Sequence, residues 1–153
     1  MNPVHLHLIL NHGPVVGVPL CLLLLAAALL MRTREVSVAA FGLCVIVTAL
    51  GFAAFLTGEP AEIAMESTAE ESFIEPHEEA ADIAVWAVGA FGACALIGLF
   101  FALIRKRVPP RRLVWSSLVL ALLASIALAW AANLGGEIRH PEIRTAPIET
   151  EAQ

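Results

Sequence analysis

The chain has 153 residues, 59% of them hydrophobic and only 15% charged, well below the roughly 25% charged residues of a soluble domain. With a mean hydropathy of +0.81 and a pI of about 5.5, it reads as a membrane protein of one domain, and it lacks the basic surface that a nucleic-acid partner requires.

A helix needs roughly 20 apolar residues to cross ~30 Å of hydrocarbon, and four segments meet that need. The first is predicted over 12–31, through the run Cys21-Leu22-Leu23-Leu24-Leu25. No Lys or Arg precedes Arg32, so the run lacks the positive n-region of a signal peptide and reads as a helix inserted with its N-terminus outside. The second is predicted over 36–56. An acidic outer loop, 57–72, follows. In it Gly58 can end the second helix and Pro60 can start a short new one, with Ile63, Phe73 and Ile74 resting on the membrane surface.

The third helix is predicted over 73–104, with its apolar core at 83–104. Ser72-x-x-Glu75 has the spacing of a capping box, which would place Pro76 in the first turn, where a missing N–H costs little. The fourth helix is predicted over 113–134, followed by an outer tail, 135–153. In the tail Glu137-Ile138-Arg139 is echoed by Glu142-Ile143-Arg144. No alternating pattern interrupts the four runs, which excludes a β-barrel.

Charge sorting gives the orientation. The first and third connections hold Arg32, Arg34, Arg105, Lys106, Arg107, Arg111 and Arg112, seven of the nine basic residues, with Glu35 as the one acid of fourteen. The positive-inside rule puts both connections in the cytoplasm. The expected fold is therefore all-α: an integral membrane four-helix bundle, up-down-up-down, with both termini non-cytoplasmic, in a bacterial inner membrane. Trp86, Trp115 and Trp130 near helix ends fit an interfacial aromatic belt.

This orientation puts all five histidines outside: His5, His7, His12, His77 and His140. His12, opening the first helix, and His77, near the start of the third, would stand at similar depth on adjacent helices. Two facing imidazoles are what the iron of a b-type haem takes as axial ligands. Gly89, Ala90, Gly92, Ala93 and Gly98 would make room for the macrocycle, and Arg139 and Arg144, the only outer arginines, would meet its propionates. His5, His7 and His140 are further ligand candidates. With histidines on one side only, a single haem near the outer leaflet fits better than two stacked across the membrane.

The residues also carry a resemblance. Asn11-His12-Gly13-Pro14-Val15-Val16-Gly17 opens the first helix, His77 precedes Ala80, Ala81 and Ala84 in the third, and Asn133-Leu134-Gly135-Gly136 closes the fourth. This resembles the small bacterial four-helix membrane proteins of domain-of-unknown-function family 2231, with a His-Pro-type motif, a third-helix histidine and a Gly-Gly in the same places. The resemblance spans all four helices. It implies a compact bundle binding haem b within respiratory or redox complexes, with His12 and His77 as the axial pair. The long acidic loop from Glu59 to Glu79 and the extra His5 and His7 depart from that pattern.

The expected function is a membrane-bound b-type cytochrome or cytochrome subunit exchanging electrons with a quinone or a periplasmic carrier, the acidic face docking a basic cytochrome c. Two alternatives stand beside it. One is a cofactor-free accessory subunit of a larger membrane complex. The other is a Cu²⁺- or Zn²⁺-binding protein using His5-x-His7 and outer carboxylates. Enzyme chemistry is disfavoured: there is no Gly-x-Ser-x-Gly and no His-Glu-x-x-His, and no ionisable residue sits inside an apolar core, as a transport path would need. Cys21, Cys44 and Cys94 lie in apolar runs and read as small buried thiols.

Overall fold

The structure is a computed structural model and describes residues 2–65 and 70–144. Among the described residues five helices occur: α1 (Pro3–Met31), α2 (Arg34–Leu56), the short α3 (Gly58–Ile63), α4 (Glu71–Leu103) and α5 (Arg111–Arg139), with a 3-10 turn at Pro141–Ile143. No strand occurs among the described residues. The four long helices are each long and apolar enough to cross a membrane. They form a ring in which α1 packs on α2 and α5, and α4 packs on α2 and α5. The outermost tail, 145–153, and part of the acidic loop, 66–69, lie outside the described residues.

Several helix ends differ from the sequence expectation. α1 starts at Pro3 rather than at residue 12, because the Asn2 side chain accepts the Val4 N–H at 2.9 Å and Pro3 takes the first helical position, where its missing N–H is no loss. Pro14 and Pro19 then fall inside the helix. α4 begins at Glu71 with no side-chain cap, so the expected Ser72–Glu75 capping box is not formed and Pro76 falls in the second turn. α5 continues through Gly135 and Gly136 to Arg139.

The buried residues follow a spacing of threes and fours. On α1 they include Pro14, Val18, Cys21, Leu25 and Ala28, and on α2 Ser37, Ala40, Cys44, Val47, Gly51 and Ala54, with Gly17 and Phe41 beside them. That near-3.5 repeat is the seam of a left-handed helical bundle. Inside the ring the residues are mostly small. Outside it are large apolar side chains, with Leu30 81%, Leu56 73% and Trp86 80% exposed. Lipid supplies no hydrophobic force between helices, so small interior residues that permit close approach hold such a bundle together. The buried hydroxyls of Ser37 and Ser117 donate to their own helices, to Thr33 and Leu113 carbonyls at 2.8 and 2.9 Å.

The expected macrocycle stripe on α4 is used for this packing instead. A Cβ on Gly98 would lie 2.3 Å from the Phe41 ring, and one on Gly92 would lie 2.3 Å from Thr48 Cγ2. Both spaces are filled by α2 side chains. Ala90 and Ala93 are exposed on the outer surface of the ring. Thr48 Oγ1 is buried without a hydrogen-bond partner among the described residues. Thr48→Val keeps the shape and removes the orphan hydroxyl, and it is expected to stabilise the bundle by about 1 kcal/mol. A lowered unfolding midpoint in detergent would show that the hydroxyl is satisfied after all.

Candidate functional site

A cavity of about 80 Å³ opens where α1, α2, α4 and α5 meet near the starts of α1 and α4. Pro14, Gly51 and Val88 line it together with alanines of α4 and α5. Three polar side chains reach its wall: His7, Asn11 and His77.

Both imidazoles are fixed through Nδ1. His7 Nδ1–H donates to the Ala54 carbonyl at 3.0 Å and lies 3.2 Å from Thr57 Oγ1. The Thr57 hydroxyl spends its proton on Ala54 or Ala53, so its oxygen is an acceptor towards His7. His77 Nδ1–H donates to the Ala131 carbonyl at 2.9 Å. A carbonyl can only accept, so each ring in its neutral form carries its proton on Nδ1 and keeps a lone pair on Nε2. This is the tautomer of an imidazole ligand held from behind. His77 also lies on bare backbone: a Cβ at Gly135 would stand 2.9 Å from its Cε1. The Gly135-Gly136 pair stays helical and makes room, with Ile143 Cδ1 3.2 Å from where a Gly136 Cβ would be.

The other sequence candidates lie elsewhere. His12 is exposed and its ring bonds the Leu8 carbonyl of its own helix, so α1 turns it away from the cavity that His77 lines. His5 is exposed on the same outward side. His140 is exposed and pairs with Glu142 at 2.9 Å. Arg144 is committed to other partners: Glu70 at 3.0 Å, the Glu137 carbonyl at 2.9 Å and the Phe73 ring at 3.8 Å. Arg139 is exposed in the last turn of α5, and neither arginine lines the cavity.

His7 was discoverable in the sequence. The buried register of α1, read backwards from Cys21 through Val18 and Pro14, reaches Asn11, His7 and Val4. His12 falls off that register. His77 stands seven residues before the buried Ala84 and so lies on the inward face of α4.

The haem expected from the sequence meets half of its requirements here. The donor set fits, since two imidazoles on separate helices line one cavity. The space falls short, since pockets for drug-sized ligands measure about 300 Å³ or more, against about 80 Å³ in this half-open cavity. Among the described residues no group of three or more His, Cys, Asp or Glu side chains converges as a metal cage. No protein-family model, curated protein or solved structure matches this chain.

Proposed function

We propose that this is a metal-binding membrane protein whose outer end holds a transition-metal ion between His7 and His77. The observation that carries the reading is the shared commitment of both Nδ1–H groups to backbone carbonyls, which leaves each Nε2 its lone pair, in two rings that line one small apolar cavity. Copper in its cuprous state suits this set best. It accepts two nitrogen ligands, whereas zinc asks for four, and no carboxylate or thiolate lines the cavity. The redox activity of copper keeps electron exchange with a quinone or a periplasmic carrier as the role.

The accompanying topology is up-down-up-down, with both termini outside a bacterial inner membrane. Its support is the pairing of helix starts with helix ends: His7 of α1 with Ala54 of α2, Arg34 of α2 with Ala102 of α4, and His77 of α4 with Ala131 of α5. The basic connections supply the orientation.

A b-type cytochrome is the second reading, favoured by the number of ligands, since a haem iron takes two axial imidazoles. It requires the ends of α1 and α4 to part. Metal analysis and a reduced-minus-oxidised visible spectrum of detergent-purified protein separate the two. About one copper per chain, with no haem absorption, is the expected result. A b-type spectrum at one haem per chain transfers the site to the second reading. Protein that takes up neither copper nor haem overturns both and leaves an accessory subunit.

Gly135→Ala tests the seating of His77. The added methyl pushes the ring off Gly135 and strains its bond to Ala131, and a loss of about 10- to 100-fold in metal affinity is expected. Unchanged affinity would mean that the ring does not need that seat.

A further inference from the structure

The opposite end of the bundle carries seven basic residues that divide into two roles. Arg32 Nη1 donates to the Pro109 carbonyl at 3.3 Å and Arg34 Nε to the Ala102 carbonyl at 2.8 Å, so these two brace the α4–α5 connection from α1 and α2. Arg105, Lys106, Arg107, Arg111 and Arg112 are exposed, and none is in an ion pair among the described residues. The connection they ride on is held in place. Pro109 is fully buried, the Arg105 and Arg107 N–H groups each bond back to α4 at 3.1 Å, and Lys106 takes a left-handed φ of 51°.

Below these charges α5 presents a distinct face. Arg112, Trp115, Ser116 and Val119 are spaced i, i+3, i+4, i+7 and therefore share one side of the helix. Trp115, Ser116, Val119 and Leu120 line a shallow open groove along it, with Trp115 57% and Val119 55% exposed. A cationic head thus stands directly above an apolar track. We propose that this is a binding site for an anionic phospholipid, its phosphate against Arg111 and Arg112 and an acyl chain along Trp115 and Val119.

Charge complementarity selects that occupant. Glu35 is the one acid in the two connections at this end, so a zwitterionic lipid brings its own cation to a surface already strongly positive. A partner helix would cover the groove without using the five free cations. Each basic residue near an anionic surface is worth about fivefold in lipid enrichment.

The test uses the full chain with Trp86→Phe and Trp130→Phe, which leaves Trp115 as the only tryptophan. The protein is placed in phosphatidylcholine vesicles containing a minor fraction of either brominated phosphatidylglycerol or brominated phosphatidylcholine. The anionic label is expected to quench Trp115 as though enriched about tenfold beside it, and the excess should shrink as salt is raised. Arg111→Gln with Arg112→Gln should remove most of it. Equal quenching by the two labels overturns the proposal. So does an excess that survives the double substitution, which would place the headgroup elsewhere, and so does quenching by neither label, which would mean that protein covers the groove. The salt titration needs no arginine variant, so the result does not depend on how well the double variant folds.

Discussion

Gly98→Ala is expected to destabilise the bundle by about 3 kcal/mol, at the upper end for overpacking a filled interior. The new Cβ would stand 2.3 to 2.5 Å from three atoms of the Phe41 ring. Phe41 is fully buried, so its ring has no free space to retreat into. Either the ring leaves its rotamer or α2 and α4 move apart, and separation forfeits the packing that holds helices together in lipid. Phe41→Ala alone should cost a similar amount by leaving a cavity. The two costs should not add. With Phe41→Ala in place, Gly98→Ala no longer meets the ring and is expected to cost much less than it does alone. Unfolding of the four proteins in mixed detergent micelles measures this coupling. Strictly additive losses would show that Phe41 does not sit on Gly98.

If His7 and His77 hold the metal as proposed, loss of metal uptake in His7→Ala and in His77→Ala, each on its own, is the second large effect expected. Removing one of two ligands leaves a single imidazole, which does not compete with chelators in solution. His12→Ala is expected to bind like the unmodified protein, because that ring is exposed and occupied with Leu8. A competition titration with a cuprous chelator on the three variants gives the ranking. Loss of binding in His12→Ala alone would return the ligand to the position that the sequence motif suggested. Each cavity variant also loses a clamp between helices, His7 to Ala54 and His77 to Ala131, so a drop in stability of about 1 kcal/mol is expected alongside. Asn at the same positions can keep the clamp while losing the ligand, and it separates the two effects.

The four apolar helices were legible because hydrocarbon imposes a length and a composition that short-range chemistry cannot disguise. Helix ends were less so. A sequence window tuned to apolar residues stops α1 at residue 12, where polarity rises, yet the Asn2–Pro3 start signal lies further upstream and carries the helix outward. Gly135 and Gly136 read as a terminus because glycine commonly ends helices. Here their missing side chains serve the neighbouring His77 and Ile143, a tertiary need that local preference does not reveal. The candidate site was half legible for the same reason. His77 lies on the buried register of its helix, whereas His12 was chosen for its motif and its depth, and rotation about the helix axis decides which ring faces inward. The glycines of α4 drew attention as space for a ligand, but only the position of Phe41 shows that the space is already filled.

The prolines give α1 and α4, the helices that carry His7 and His77, different mechanical properties. Pro14 and Pro19 withhold the N–H groups that would bond the Leu10 and Val15 carbonyls, and Pro76 withholds the one for Ser72. α2 and α5 have no internal proline. His7 therefore lies beyond two missing rungs of the α1 ladder, so α1 is softer to bending than α2 or α5. His77 lies on the inner side of its own proline and rests on Gly135 of α5, a helix without proline. The cavity thus has one wall compliant to bending, on α1, and one stiff wall, on α5.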